Sequence, residues 1–145
     1  MAKTRCIINV KQKIPHWWGF LFVARWVDLI MSDKQTTISQ LKSLIDSFVD
    51  ERDWKQFHSP KNLPMSISIE SSELMELFQR LSLEEAKEVM KAGETRESAI
   101  DEIADIIIYA IAFCNRNNID ISNAIKQKME KNKKKYPADK FKGHF

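Results

Sequence analysis

The chain has 145 residues, enough for one domain with a real core, and it contains only 3 Gly and 4 Pro. So few turn formers favour long helices over a β-rich fold, and the wide spacing of Gly19, Gly93 and Gly143 excludes a P-loop and a dinucleotide-binding fingerprint. Two cysteines without CxxC spacing exclude a disulfide framework, so we expect a reduced, cytoplasmic protein.

The net charge of +3 is unevenly distributed along the chain. Residues 1–30 hold five of the 23 basic side chains and one of the 20 acidic ones, which leaves 18 basic against 19 acidic for residues 31–145. This nearly neutral body gives no electrostatic reason to expect binding to a nucleic acid polymer. Acidic side chains gather between residues 70 and 105, whereas lysines crowd residues 126–142.

The first thirty residues differ in character from the rest. Their apolar run, residues 17–23, is shorter than the roughly 20 residues that a membrane span needs. Basic residues precede this run as in a signal peptide, but no clear small-residue cleavage site follows it. We predict no membrane contact, an N-terminal extension over residues 1–30 outside the core fold, and one domain over residues 31–145 with a short polar tail.

Two helices are predicted at the start of this domain. Thr37 and Gln40 fit a capping box for a helix from 38 to about 56, whose apolar residues recur at helical spacing. The second helix should begin near Pro64, because a proline one turn inside a helix removes an amide and crowds the backbone, and it should run to Leu81.

Cap and stop signals mark the later helices. These are a short helix from the Ser82/Glu85 capping box to Gly93, a long helix from about 96 to 116, and a last helix capped by Asp120 or Ser122 and stopped by Pro137. Four main helices and one short one with short connections predict an all-α, four-helix-bundle-like fold with antiparallel neighbours.

The segment 65–78, MSISIESSELMELF, carries three glutamates at a spacing of three. At about 100° per residue, Glu70 falls inside the apolar stripe that begins at Ile67, Glu73 falls at its edge, and Glu76 falls on the far side. We therefore expect Glu76 to be solvated, whereas an ionised Glu70 would be costly without a compensating partner.

The long helix also carries carboxylates among apolar residues. Its DEIADIIIYAIAF stretch is apolar around almost the whole circumference, which is typical of a buried helix, yet it carries Glu102 and Asp105, with Tyr109 one turn on. A single such carboxylate is ordinarily a boundary residue paired with Lys or Arg. Two pairs on two core helices would repel each other, and a hard divalent cation would relieve that repulsion.

The kind of metal follows from the ligands that the sequence offers. No histidine stands three residues after a glutamate and no Cys/His cluster occurs, which argues against di-iron and zinc sites. All-oxygen ligation favours Mg²⁺ or Mn²⁺. Lys128, Asn132 and Lys135 share one face of the last helix that would suit a triphosphate, although lysines in a last turn also interact favourably with the helix dipole.

Four blocks of the chain resemble the MazG-like all-α nucleoside triphosphate pyrophosphohydrolases, most closely the dCTP pyrophosphatase branch. They are ERDWKQFHSPKNL, SIESSELMELFQ, DEIADIIIY and KMEKNKKKYP, and the resemblance covers residues 38 to about 140. It implies an all-α fold that assembles as a dimer or tetramer, with sites formed by more than one chain. It also implies a (d)NTP substrate, attack of water on its α-phosphate, release of pyrophosphate and formation of a nucleoside monophosphate.

The resemblance also implies roles for particular residues. The implied Mg²⁺ ligands are Glu70, Glu73, Glu102 and Asp105; the implied base and sugar contacts are Trp54 and His58; Tyr109 lies near the substrate; and Lys128, Asn132 and Lys135 meet phosphates. We expect Glu73, at the stripe's edge, to orient the attacking water. Arg80 stands where the family usually has tryptophan, which leaves the base preference open. The alternative is a catalytically silent bundle that binds a nucleotide or a partner protein, with its carboxylates salt-bridged to the last helix.

Overall fold

The structure, a computed structural model, describes residues 31–143, so the predicted extension over residues 1–30 lies outside the described residues. The all-α prediction is confirmed, because the described chain is helical and contains no strand. Its helices are α1 (Ile38–Asp50), a 3₁₀ turn (Trp54–Phe57), α2 (Asn62–Glu76), α3 (Leu83–Val89), α4 (Glu94–Arg116), α5 (Ile121–Lys135) and α6 (Ala138–Phe141). No helix between residues 31 and 143 combines the length and apolarity that crossing a bilayer requires.

The capping residues predicted from the sequence cap their helices. In α1 the Gln40 amide donates to Thr37 Oγ1 at 3.2 Å, and Gln40 Oε1 accepts from the Thr37 amide at 2.7 Å. Ser82 and Glu85 repeat this arrangement at α3. Asp120, rather than Ser122, caps α5 by accepting from the Asn123 amide at 2.9 Å. Each such cap typically contributes about 1 kcal/mol.

The first helix ends earlier than its periodicity predicts. It stops at Asp50 rather than near residue 56, and Asp53 then adopts a left-handed conformation with φ of 52°. Aspartate tolerates this region better than most residues do, so the chain turns here instead of continuing the helix. The short 3₁₀ turn that follows carries Trp54 on a different path from that of a continuous helix.

The second helix is displaced toward the N-terminus from its predicted position. It begins at Asn62 and ends at Glu76, so the predicted bounds at Pro64 and Leu81 are wrong. Pro64 is tolerated because it is the third helical residue, where a backbone amide has no partner within the helix in any case. The helix ends early because residues 77–81 form tighter turns, including Leu81 N to Phe78 O at 3.0 Å.

Gly93 begins a helix rather than ending one. The short helix already stops at Val89, and Gly93, with φ of 101°, precedes the first residue of α4. Glycine suits this position because other residues rarely adopt such an angle. The long helix therefore starts two residues before its predicted start at 96 and ends at Arg116 as predicted.

The hydrophobic core lies at one end of the helix assembly. It consists of Ile45 and Val49 from α1, Leu63 from the start of α2, and Ile111 and Ala112 from the second half of α4. Two long-range hydrogen bonds reinforce this end: Asn115 Nδ2 donates to Lys42 O at 2.9 Å, and Lys42 Nζ donates to Ile119 O at 3.0 Å.

The prediction that the long helix is buried all round is wrong for the described chain. Helix α2 packs along α4, and α1 packs against the second half of α4. The row of isoleucines on the remaining side of α4 is open to solvent. Its members are 41–49% exposed: Ile100, Ile103, Ile107 and Ile108. No element among residues 31–143 buries this side, which we call the isoleucine face.

Candidate metal centre

Three carboxylates meet where α2 lies against α4. Glu70, Glu102 and Asp105 each offer one oxygen, and these oxygens lie within 4.8 Å of one another. The register of the two helices explains the meeting. Leu63 and Ala112 share the core, and moving seven residues along α2 and seven back along α4, about 10 Å in each case, leads to Glu70 and Asp105.

The carboxylates perturb one another. Partial burial of Glu70 raises the pKa of its carboxyl group, and the nearby charges of Asp105, Glu73 and Glu102 raise it further. Tyr109 lies beside them, and burial followed by the charges of Glu70 and Asp105 raises the pKa of its phenol. The cluster thus concentrates negative charge on half-buried Glu70 and Glu102 and on exposed Asp105, an arrangement that favours a cation.

No basic side chain of the described residues neutralises this charge. The ion pairs of residues 31–143 lie elsewhere: Arg52–Glu51, Lys55–Asp50, Lys91–Glu88, Arg96–Glu97 and Lys133–Glu130. The pairing of the carboxylates with lysines of the last helix, which a silent bundle would require, does not occur within this part of the chain. Three close carboxylates without a cationic partner among the described residues fit a hard divalent cation.

The fourth predicted ligand stands apart from the other three. Glu73 is exposed and does not belong to the cluster of Glu70, Glu102 and Asp105, although its charge reaches Glu70. Glu76 is exposed, as the angular count predicts. The three glutamates of α2 therefore occupy three different environments.

Trp54 and His58 lie far from the carboxylates within one chain. The Arg116 side chain reaches the backbone of His58, with Nε 3.4 Å from its carbonyl oxygen, and Arg116 lies about 16 Å along α4 from Asp105. Trp54 is 43% exposed and meets the Phe48 ring edge-on, with 5.7 Å between ring centroids. Burial, and then the charge of Arg116, lowers the pKa of His58.

The predicted phosphate face on α5 is not joined to the carboxylates in the described chain. Lys128 and Lys135 are exposed, Asn132 is half-buried, and no α5 side chain is fully buried. Arg80 is exposed in the turns after α2. Arg116 could not be singled out from the sequence, because nothing in the local pattern distinguishes an arginine that ends a helix from an ordinary solvated one.

Comparison with known proteins identifies the family to which the chain belongs. A family model described as the MazG-like family matches residues 65–144, more than half of the chain, and its match includes all three clustered carboxylates. The chain belongs to the MazG-like family. The resemblance seen in the sequence is therefore confirmed.

Two curated relatives and one solved structure are similar to most of this chain. The chain is 36% identical over 104 residues to dCTP pyrophosphatase 1 of Bos taurus, covering 72% of this chain and 62% of that protein. It is 35% identical to dCTP pyrophosphatase 1 of Homo sapiens, with 72% and 61% covered. The chain thus spans about three fifths of the length of these curated relatives. A solved pyrophosphatase from Archaeoglobus fulgidus superimposes with a TM-score of 0.66 at 39% identity, covering 74% of this chain and 98% of that one.

Proposed function

We propose that this protein hydrolyses (deoxy)nucleoside triphosphates to a nucleoside monophosphate and pyrophosphate, and so clears particular nucleotides from the pool. The observation that carries the proposal is the cluster of Glu70, Glu102 and Asp105, which no cation of the described chain neutralises. MazG-like relatives named dCTP pyrophosphatase, and a structural neighbour named pyrophosphatase, support this reaction class over a silent bundle.

The three clustered carboxylates would hold Mg²⁺, or Mn²⁺ with the same oxygen donors. When bound, the ion would neutralise negative charge on phosphate oxygens and favour deprotonation of the attacking water. In the reaction a water oxygen forms a bond to the α-phosphorus, the bond from that phosphorus to the bridging oxygen of the β-phosphate breaks, and pyrophosphate leaves with that oxygen. The water's protons pass to a base and to solvent.

Glu73 is our candidate for that base. It lies one turn from Glu70 on the same helix but outside the cluster, so its carboxylate is available to accept a proton from the attacking water. Tyr109, on the α4 side, borders Glu70 and Asp105 and would contact the substrate near the reacting phosphate.

The remaining substrate contacts would come from Trp54 and His58 for the base and sugar, and from Lys128, Asn132 and Lys135 for the phosphates. Neither group reaches the carboxylates within the described chain. This separation supports a site completed by another copy of the protein. The isoleucine face supports the same conclusion, because so much exposed apolar surface on a helix is typical of an interface, and we propose a dimer or tetramer.

The base preference depends on residues around Trp54. A pyrimidine nucleotide such as dCTP is the first candidate because relatives carry that name. Arg80, in place of an aromatic side chain, would leave the pocket more open and more polar than in the family's usual pattern.

The test is a panel of all common dNTPs and NTPs incubated with Mg²⁺ and analysed by anion-exchange chromatography. We expect monophosphate and pyrophosphate in equal amounts from at least one nucleotide. Glu70→Gln should lose this activity, whereas Glu76→Gln, an exposed glutamate on the same helix, should keep it. Absence of pyrophosphate from every nucleotide, or full activity in Glu70→Gln, would refute the proposal.

A further inference from the structure

The segment 53–59, which we call the aromatic turn, is held in shape by its own hydrogen bonds. Gln56 Nε2 donates to the Asp53 backbone oxygen at 3.0 Å and to its carboxylate at 3.1 Å. The His58 amide donates to Lys55 O at 3.2 Å. Although it connects two helices, the turn is therefore a defined unit rather than a loose loop, and its placement depends on what attaches it to its neighbours.

Contacts from three helices, α1, α2 and α4, attach the aromatic turn to its surroundings. Phe48 of α1 supports Trp54, and Asn62 Nδ2 of α2 donates to Phe57 O at 3.0 Å. The third comes from α4, where the Arg116 guanidinium lies with Nε 3.4 Å from His58 O. Arg116 is the last residue of α4, where a positive charge also interacts favourably with the helix dipole.

The ring of His58 is in an unusual state for an exposed turn. Its Nδ1 atom is enclosed and has no hydrogen-bond partner. An enclosed N–H without an acceptor is costly, so the proton of the neutral ring belongs on Nε2, with only a lone pair at Nδ1. Burial and the charge of Arg116 both disfavour the imidazolium, while Lys55, the other cation of the turn, is paired with Asp50 at 2.5 Å.

We propose that Arg116 is a positioning residue, which holds the backbone of His58 against the end of α4 so that a neutral imidazole presents Nε2–H to an acceptor on the nucleobase edge. The inference rests on the proposed function, in which His58 contacts the base. It assigns Arg116 a role in substrate binding, although Arg116 lies about 16 Å along α4 from Asp105 of the same chain.

The test compares Arg116→Gln, which removes the charge, with Arg116→Lys, which keeps it, and with Arg96→Gln, a matched change of an exposed arginine on the same helix. The titration of the His58 ring is followed by NMR, with His58→Gln providing the assignment. In Arg116→Gln the pKa of His58 should rise toward its ordinary value, because one of the two causes of its lowering is gone. Arg116→Lys and Arg96→Gln should leave it low.

Kinetics on the preferred nucleotide provide the second readout. Arg116→Gln should raise KM roughly 3–10-fold, the factor expected for one lost hydrogen bond, with kcat within about twofold. Arg116→Lys should recover most of this loss. In a His58→Gln background, Arg116→Gln should add nothing, because two residues acting through one contact are not additive.

An unchanged His58 titration in Arg116→Gln would overturn the inference, as would an equal rise in KM with and without His58. If the wild-type protein hydrolyses no nucleotide, the proposed function fails, and with it the binding role of Arg116. The titration then decides separately whether Arg116 controls the state of His58.

Discussion

The two halves of α4 leave their isoleucines in opposite environments. In the second half Ile111 is 5% exposed and Ala112 is 2% exposed, whereas Ile103 and Ile107 in the middle are 44% and 49% exposed. Isoleucine is equally apolar in both places. The difference comes from α1 and the start of α2, which cover only the second half, so burial is decided by the neighbouring elements and not by the helix itself.

The open half of α4 is also the half that carries two of the clustered carboxylates. Glu102 and Asp105 lie on the side of the helix opposite Ile103 and Ile107, by the angular count of about 100° per residue. A single stretch therefore carries a candidate metal centre against α2 and an uncovered apolar row on its other side. The covered half stabilises the fold, and the open half carries the residues on which the proposed function and the proposed assembly depend.

The largest effect should come from the carboxylates of the open half. Asp105→Asn or Glu102→Gln should lower kcat/KM for pyrophosphate release by about 10³-fold or more, because the charge stabilisation of the transition state is lost. Asp101→Asn, an exposed carboxylate on the same helix, is the matched control and should stay near wild-type activity. Circular dichroism should show unchanged helicity, and retained turnover in both active-site variants would contradict the assignment.

The next largest effect should be a difference between the two halves in the free energy of unfolding that a truncation to alanine costs. Leu63→Ala removes a side chain that is 1% exposed in the covered half, and it should cost about 2–5 kcal/mol in urea unfolding. Ile107→Ala should cost less than about 0.5 kcal/mol in the dissociated chain, because that side chain is already half in solvent. Equal losses would show that the open half is covered within one chain.

Introducing charged residues into the isoleucine face tests whether another copy of the chain covers it. The double substitution Ile103→Glu and Ile107→Glu should convert a dimer or tetramer to monomers in light scattering coupled to size exclusion, because it places carboxylates in an apolar interface. Leu83→Glu, at a residue of α3 that is 77% exposed, should leave the assembly unchanged. If the double variant keeps the wild-type mass, the interface lies on another face.

The smallest effect should be a change in thermal stability when Glu70 of the candidate metal centre is replaced. The pKa of Glu70 is raised in the folded protein. The folded state therefore loses stability as the pH rises from the ordinary glutamate pKa through the raised one, because the carboxyl group must then ionise in the fold. At pH 7 without divalent ions, Glu70→Gln should therefore raise Tm by a few degrees. It should also weaken the increase in Tm that we expect Mg²⁺ to give the wild type. A lower Tm for the variant without metal would argue that Glu70 has a stabilising partner.

Local sequence signals were sufficient to predict much of this architecture. The capping boxes at Thr37 and Ser82 and the cap at Asp120 use interactions within four residues, so the chain encodes them directly. Glu70 and Asp105 were identifiable for a related reason: ionisable groups in apolar helical stripes are rare enough to require an explanation.

Other features depend on contacts that no local pattern records. The left-handed Asp53 ends a helix whose periodicity continues past it, and the tight turns after Glu76 end another. The openness of Ile107 depends on where the other helices of residues 31–143 pack, and the contact of Arg116 with His58 joins residues 58 positions apart. Each requires the tertiary arrangement.

Hydrolysis in H₂¹⁸O with Mg²⁺, followed by mass spectrometry of the products, tests the central claim most directly. Attack on the α-phosphorus predicts one ¹⁸O atom in the nucleoside monophosphate and none in the pyrophosphate. The label should vanish with the activity in Asp105→Asn. Label in released pyrophosphate or orthophosphate, or no hydrolysis of any nucleotide, would contradict the assignment of the Glu70, Glu102 and Asp105 cluster to pyrophosphate release.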